Sequence, residues 1–201
     1  MSRYIRPKVP GATVFFTVNL AERGGDLLVQ RIQALREAVF KTHAERRFYI
    51  DAWVVMPDHI HAVWTLPPGD SDYSRRWQII KARFSRTVPK GLQRSSHVAR
   101  RERAVWQRRY WEHHIRDQES YAAAIRYCHL NPVKHGFVQT AEDWPYSSVH
   151  RDIAAGRWPL GAHLLRTVGA FVSEQMVRSE CAPYMPYLAR RLVRRTTGSF
   201  D

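Results

Sequence analysis

The chain has 201 residues, of which 44% are apolar, so it is long and apolar enough for one well-packed domain rather than wholesale disorder. Lysine and arginine number 32 against 18 aspartates and glutamates, and the formal charge of +14 points to a polyanionic partner, with a basic protein that has none as the alternative. The two cysteines form no C-x-x-C pair and no apolar run reaches the length of a membrane span, which excludes a zinc knuckle and fits a reduced, cytoplasmic protein.

The first half of the chain predicts a strand, a helix and a hairpin. Residues 13–20 are β-branched and aromatic after Pro10-Gly11, as in a buried strand. Apolar residues recur at helical spacing over 27–45, and Asp26 is placed to cap that helix. Residues 48–55 and 59–66 are two further strands, and the short turn at Pro57-Asp58 makes them an antiparallel hairpin.

The second half continues with a helix, a strand and a further helix. Trp77, Ile80 and Phe84 share one face of a predicted helix at 74–87, whose other faces carry basic residues, Arg76 among them. A polar, basic loop at 89–103 leads to an aromatic strand at 105–115. The last helix begins after the N-cap Asp117 and ends at Asn131-Pro132; its apolar stripe is Tyr121, Ala124, Ile125 and Cys128.

This order of elements predicts an α+β fold. The first six, β-α-β-β-α-β, match the split β-α-β or ferredoxin-like pattern, an antiparallel sheet with helices on one face. The seventh is an added helix that carries Tyr127. We place a domain at 1–152 and a C-terminal extension at 153–201, with a modest helical pattern at 161–177 and a basic tail.

His59 and His61 flank Ile60 in the third predicted strand. Alternate side chains of a strand share a face, so Ile60 and Trp64 point towards the core and the two imidazoles lie together on the other face. Such a pair can share a divalent ion, with nitrogen ligands suiting Mn²⁺, Zn²⁺, Co²⁺ or Ni²⁺ and oxygen ligands needed for Mg²⁺. The alternative is two polar residues on an exposed face.

Tyr127 lies about 90° from the apolar stripe of its helix, at the edge of the buried face. Asn131 follows one turn later on the same side, which brings a phenol and an amide oxygen together. The alternative is a packing tyrosine followed by an asparagine that ends the helix before proline.

Further polar and aromatic residues are candidates for contact with nucleic acid. The set Glu112, His113, His114 and His129 matches no standard ligand spacing and is interpreted as polar groups near DNA. Stacking and phosphate contacts are expected from seven residues, namely Arg75, Arg83, Arg86, Arg108, Arg109, Tyr110 and Trp111.

Four stretches together resemble a known family. VVMPDHIHAVWTLP resembles the histidine–hydrophobe–histidine (HUH) motif of the single-tyrosine transposases. WQRRYWEHHIRD, YAAAIRYCHLNPVKHGFV and DWPYSSVHR resemble the REP-associated tyrosine transposases of that superfamily, relatives of insertion-sequence transposases associated with repetitive extragenic palindromes. The resemblance runs from about Thr13 to Arg151.

The resemblance implies an activity and a set of site residues. Tyr127 aligns with the nucleophile, His59 and His61 with the metal ligands, and Asn131 with a polar side chain that completes the coordination of Mg²⁺ or Mn²⁺. The implied reaction is cleavage and rejoining of single-stranded or hairpin DNA through a covalent 5′-phosphotyrosine, by a monomer or homodimer at the bacterial nucleoid. Two alternatives stay open, a non-catalytic nucleic-acid binder with a ferredoxin-like sheet and a metal-dependent nuclease that uses water.

Overall fold

The computed structural model of the protein describes residues 6–93 and 95–158. Within these residues the chain forms four strands, six α-helices and one short 3-10 helix. In chain order they are β1 (Thr13–Asn19), α1 (Leu27–Gln30), α2 (Ile32–Glu45), β2 (Tyr49–Val55), β3 (His59–Thr65), α3 (Tyr73–Arg86), α4 (Ser95–Ala99), β4 (Trp111–Ile115), α5 (Gln118–Lys134), the 3-10 helix (Ala141–Asp143) and α6 (Val149–Ala154).

The four strands form one antiparallel sheet in the order β2-β3-β1-β4. Because β3 is antiparallel to both of its neighbours, β1 and β2 run in the same direction with β3 inserted between them. This is a split β-α-β arrangement, and its elements follow one another as the sequence predicts. The α+β class and the antiparallel sheet are therefore confirmed.

One face of the sheet carries the main hydrophobic core. Alternate residues of β1 and β3, such as Phe16 and Trp64, are fully buried beneath α2 and α3. The rings of Trp64 and Trp77 stack with their centroids 4.3 Å apart. Burial of each such side chain contributes about 1.5–3 kcal/mol, so this layer fixes the position of β3 firmly.

The opposite face of the sheet is covered by α5, which packs against β2 and β3. Its buried residues include Ala124, Tyr127 and Cys128. The prediction that Tyr127 lies at the edge of the buried face is wrong, because only 6% of its surface is exposed. Tyr121 and Ile125, expected in the buried stripe, are only half-buried. The helix is rotated so that the tyrosine faces the sheet.

Several helix ends differ from the predictions. The predicted helix 27–45 is interrupted at Arg31, whose φ and ψ of −111° and 31° are not helical. Asp26 makes no side-chain cap, because its carboxylate accepts a hydrogen bond from the Gln30 amide instead. Asp117 does cap α5, accepting from the Ser120 N–H at 2.7 Å.

Helix α5 also does not stop at the Asn131-Pro132 step. It continues through Pro132 to Lys134, and the His135 N–H donates to the Asn131 carbonyl at 3.0 Å. Proline lacks an N–H, so the helix loses one backbone hydrogen bond at this position, and it continues for only two residues more. Asn131 therefore keeps its place on the tyrosine side of the helix.

The predicted strand 105–115 is shorter than expected. β4 spans only Trp111–Ile115, and Trp106 makes an isolated bridge to Leu20. Ala104 has a positive φ of 56°, so the chain turns just before this segment. The preceding loop also contains the short helix α4, which the sequence analysis did not predict.

Arg76 departs from its predicted place on a basic surface. Only 2% of the residue is exposed, and its guanidinium bonds to Asp70 and to backbone carbonyls. The helix α6 runs across the predicted domain boundary at 152, and the predicted 161–177 helix and basic tail lie outside the described residues. Across 6–93 and 95–158, no helix combines the length and the apolar character that crossing a membrane requires.

Candidate active site

The two histidines of β3 lie side by side beneath α5. Their side chains point away from Ile60 and the main core, as strand alternation predicts. The centroids of the His59 and His61 rings are 4.8 Å apart. Only 6% and 3% of these residues are exposed, so the alternative of an exposed polar face is wrong. The pair occupies a buried position between sheet and helix.

Hydrogen bonds at Nδ1 orient both rings. His59 Nδ1 lies 2.6 Å from the Asp58 carboxylate, and His61 Nδ1 lies 2.9 Å from the hydroxyl of Thr17, which faces it across the β1–β3 pair. The Asp58 carboxylate can only accept, so the His59 Nδ1–H donates to it and the lone pair is left on Nε2; the Thr17 hydroxyl is able to accept from the His61 Nδ1–H in the same way. Both imidazoles are thereby prepared to offer Nε2 as a ligand atom.

Asp58 is held from three sides. Its carboxylate bonds to His59, accepts from the Gly24 N–H at 2.8 Å and pairs with the Arg23 guanidinium at 3.0 Å. Burial favours the neutral carboxyl, but the hydrogen bonds from His59 and Gly24 and the charge of Arg23 outweigh it and lower the pKa of Asp58 to about 2. Asp58 is thus a fixed anion behind the histidine pair.

Burial also determines the charge of the histidines. It lowers the pKa of His59, although Asp58 opposes the shift, and it lowers the pKa of His61 well below its usual value, assisted by the neighbouring cations. Both rings are therefore neutral near pH 7. The neutral imidazole is the form that binds a metal ion.

Tyr127 approaches the pair from α5. Its ring centroid is 5.0 Å from that of His61 and 5.6 Å from that of Phe15, all within one chain. Burial raises the pKa of Tyr127 far above the usual value; the Cys128 thiol adds to this and the nearby Asn131 amide opposes it. The phenol is therefore protonated in this environment, and its ionisation requires additional positive charge.

Asn131 completes the cluster with an unusual property. The residue is fully buried and close enough to Tyr127 to lower the pKa of its phenol, yet no hydrogen bond of normal geometry reaches its amide nitrogen or oxygen within 6–93 and 95–158. An unpaired buried amide costs about 1–3 kcal/mol, so such groups are typical of binding sites. Among the described residues no three or more His, Cys, Asp or Glu side chains are grouped to hold a metal. The residues available for one are thus His59, His61 and the Asn131 oxygen, a mixed nitrogen and oxygen set.

Two residues at the end of α5 belong to this site and were missed in the sequence. The Lys134 amine lies 5.4 Å from the centroid of the Tyr127 ring, and the His135 ring lies 5.6 Å from that of His59. Lys134 and His135 follow Tyr127 by seven and eight residues, close to two helical turns. Projection of the helix beyond Pro132 would have found them, but the sequence predicted that the helix ended there.

The second set of candidate ligands is dispersed. Glu112 pairs with Arg6, and His114 lies 3.4 Å from the Tyr73 hydroxyl. His129 is on another side of α5, between Asp152 and Ser148. His113 stacks on Trp111. None of these contacts joins the His59–His61 pair, and the four residues do not form one group; their placement near DNA stays a prediction.

The residues predicted to contact DNA fall on two sides of the sheet. Arg75, Arg83 and Arg86 belong to α3, on the face opposite the histidines. Trp111 lies on the histidine face, where its ring contacts Phe15 at 5.6 Å, whereas the Tyr110 ring packs against the main core.

Several of these side chains already have partners within the chain. Arg83 pairs with Glu45, Arg108 with Glu102 at 2.7 Å, and the Tyr110 hydroxyl with Ser74 at 3.1 Å. Arg109 is exposed.

Comparisons with known proteins agree on one group of relatives. A sequence profile for the family described as "Transposase IS200 like" matches residues 22–131. The chain is 45% identical over 160 residues to the REP-associated tyrosine transposase of Escherichia coli K12, an alignment that covers 80% of this chain and 90% of that protein. A Haemophilus influenzae protein given the same name provisionally is 40% identical over 161 residues, 79% of this chain and 92% of that protein.

A solved structure supports the same grouping. It is that of a REP-associated tyrosine transposase bound to a REP hairpin, and its sequence is 44% identical to this chain. The two structures superpose with a TM-score of 0.69, over 81% of this chain and 93% of the other.

Proposed function

Because this chain belongs to the IS200-like transposase family, among the REP-associated tyrosine transposases, we propose that it cuts and rejoins single-stranded or hairpin DNA through Tyr127. The family makes it a transposase and an enzyme. The finer proposal is that cleavage leaves a covalent 5′-phosphotyrosine and a free 3′-hydroxyl, and that reversal with another 3′-hydroxyl joins strands.

One observation carries this proposal. Tyr127 and His61 come from different elements, α5 and β3, and their rings lie 5.0 Å apart in a buried site of a single chain. A tyrosine whose only role was packing would not require two oriented imidazoles and an unpaired amide beside it. Because all of these residues belong to one chain, the arrangement favours a site formed in cis and a protein that works as a monomer.

A divalent ion fits the chemistry of the residues present. Within the described part of the chain, no hydrogen bond engages Nε2 of His59 or His61, and the buried Asn131 oxygen lacks a partner. When bound there, Mg²⁺ or Mn²⁺ would supply Lewis-acid polarisation of a phosphoryl oxygen. The orienting residues are Asp58 and Thr17, which hold the two rings from behind.

The proposed cleavage step exchanges one phosphoester bond for another. The Tyr127 oxygen attacks phosphorus, the bond from phosphorus to the 3′-oxygen breaks, and the 3′-oxygen takes up a proton while the phenol loses one to solvent. No bond energy is lost, since the phosphotyrosine is itself an ester. Rejoining is the same step in reverse and needs no nucleotide cofactor.

The proposed substrate follows from charge and from the relatives. The formal charge of +14 suits a polyanion, and the solved relative is bound to a REP hairpin. A phosphate within a duplex is hard for a buried tyrosine to reach, so an unpaired strand beside a hairpin is the expected form. Trp111 lies on the histidine face and is proposed to stack on a base; the exposed Arg75, Arg86 and Arg109 are proposed to contact phosphates further along the strand.

The test is formation of a covalent adduct with a labelled hairpin oligonucleotide that carries single-stranded flanks, in Mn²⁺ or Mg²⁺. We expect an adduct with the wild type, none with Tyr127→Phe and none in EDTA. Tyr121→Phe is the matched control, because Tyr121 is on the same helix but its hydroxyl bonds to Asp51 at 3.2 Å. Cleavage that persists in Tyr127→Phe would instead indicate a nuclease that uses water, and metal-independent binding without cleavage would indicate a non-catalytic binder.

A further inference from the structure

Lys134 stands out among the cations of the site. Its position places it on the same side of α5 as Tyr127, since seven residues amount to nearly two full turns. The amine lies over the Tyr127 ring, 5.4 Å from the centroid. It thus lies beside the phenol that the proposed reaction uses, and Lys134 itself is exposed to solvent.

The charge of Lys134 is not neutralised by the protein around it. Within 6–93 and 95–158, no carboxylate lies within ion-pair distance of its amine and no acceptor takes a hydrogen bond from it. Asp58, the anion beside the histidine pair, is already engaged by His59, Gly24 and Arg23. Arg23 and Lys134 therefore differ, because Arg23 has a counter-ion and Lys134 has none among the residues that the structure describes.

Neighbouring groups do not offset this charge. The imidazoles that feel the charge of Lys134, His61 and His135, carry no negative charge in either their neutral or their protonated form. Desolvation lowers the pKa of Lys134 itself. An ammonium group that is partly desolvated, without an anion and next to an unpaired buried amide, Asn131, is suited to an anionic ligand.

We propose that the Lys134 ammonium binds a non-bridging oxygen of the phosphate that Tyr127 attacks. This inference rests on the proposed function and adds a catalytic residue to it. As the tyrosine oxygen bonds to phosphorus, negative charge grows on the non-bridging oxygens, and a fixed cation there is worth more in the transition state than in the bound substrate. Burial and the Cys128 thiol oppose ionisation of the Tyr127 phenol, and a cation placed at the phenolic oxygen would favour it.

The geometry suits this contact. At the point of attack the reacting atoms are about 3–3.5 Å apart, so the phosphate lies just beyond the tyrosine hydroxyl. The lysine side chain is long and flexible with a compact charge, and it needs to move only from the ring face to the ring edge. No proton transfer by Lys134 is required, and the bonds made and broken are those of the proposed cleavage step.

The test begins with a pool of labelled hairpin oligonucleotides. From it we select a hairpin that forms a covalent adduct with the wild type but not with Tyr127→Phe. Its scissile phosphate is then replaced by a methylphosphonate, each diastereomer separately, which removes one charged oxygen. We expect Lys134→Met to slow adduct formation about 100-fold on the phosphate, but about threefold or less on one methylphosphonate diastereomer. Lys134→Arg should retain most of the phosphate rate.

Controls separate this role from a structural one. Lys41→Met is the matched variant, because Lys41 is an exposed lysine of α2 that pairs with Glu37 away from the site, and it should react like the wild type. The same comparison is made for equilibrium binding in a Tyr127→Phe background, where Lys134→Met should weaken binding of the phosphate hairpin but not of that methylphosphonate diastereomer. This second readout does not depend on turnover.

The two possible failures are distinguishable. An unchanged phosphate rate in Lys134→Met, or a deficit that is equally large on both methylphosphonate diastereomers, overturns the role of Lys134 while the proposed function stands. A pool in which no hairpin forms a Tyr127-dependent adduct contradicts the proposed function, and the inference with it.

Discussion

His59 donates its Nδ1 proton to the Asp58 carboxylate across 2.6 Å, and Asp58 is in turn fixed by the Gly24 N–H and by Arg23. We expect Asp58→Ala to weaken Mn²⁺ binding about 10- to 100-fold, because the ring loses its orienting partner. Asp58→Asn, which keeps an acceptor, should lose less. Calorimetric titration with Mn²⁺ measures the affinity, with Asp26→Ala as an exposed carboxylate control. Wild-type affinity in Asp58→Ala would contradict this role.

Asn131 allows stability and function to be separated. Its buried amide has no partner among the described residues, so Asn131→Leu should leave the free energy of unfolding in EDTA unchanged or raise it by about 1–2 kcal/mol. The same variant should form the DNA adduct at least about tenfold more slowly and gain less stability from Mn²⁺ than the wild type does. Urea unfolding with and without Mn²⁺, together with the adduct assay, gives both quantities. A variant that is less stable in EDTA but fully active would show that Asn131 is structural.

The neighbours Arg75 and Arg76 should differ sharply in their effect on stability. Arg76 is 2% exposed and bonds to the Asp70 carboxylate at 2.6 and 3.1 Å and to the Arg47 carbonyl at 2.6 Å. Its loss removes these hydrogen bonds and the packing of a buried side chain, so Arg76→Ala should cost about 2–3 kcal/mol in urea unfolding. Arg75 is exposed and bonds to Gln78 on the same helix, and Arg75→Ala should cost about 0.5 kcal/mol or less. Equal losses in the two variants would refute the assignment of Arg76 to the interior.

Lys81 should give the protein a distinctive response to alkaline pH. Burial lowers its pKa from 10.5 to about 8, while its amine donates to the Gln107 carbonyl at 2.7 Å. Between pH 8 and 10.5 the unfolded chain binds more protons at this residue than the folded chain, so stability rises with pH across that window. Relative to Lys81→Met, the wild type should gain about 2 kcal/mol from pH 8 to pH 10.5. Unfolding free energies of the two proteins at matched pH values measure the difference, and a constant difference would contradict the shift.

The features that the sequence predicted are those that depend on local patterns. Strand alternation placed the histidines of β3 on one face, and the Asp117 cap marked the start of α5. The α+β class followed from the order of elements. Each of these predictions depends on residues that are a few positions apart in the chain, and such local patterns can be recognised in a single sequence.

The features that it missed depend on contacts between distant segments. Thr17 orients His61 only because β1 pairs with β3, and the burial of Tyr127 is determined by how α5 rotates against the sheet. Lys134 and His135 were overlooked for a different reason: Pro132 was interpreted as a helix stop, whereas α5 continues through it to Lys134 at the loss of one backbone hydrogen bond. Tertiary packing thus decided the parts of the site that local propensity did not.

The alternation along β3 also ties the reactive site to the folding of the protein. Ile60, Ala62 and Trp64 fill the core, while His59 and His61, between them, face α5. A slip of one residue in the pairing of β3 would exchange the two sets, placing imidazoles in the hydrophobic core and the Trp64 indole against the helix. Such a slipped sheet would be far less stable than the native one. The hydrophobic core that stabilises the fold therefore also selects the register in which both histidines face α5.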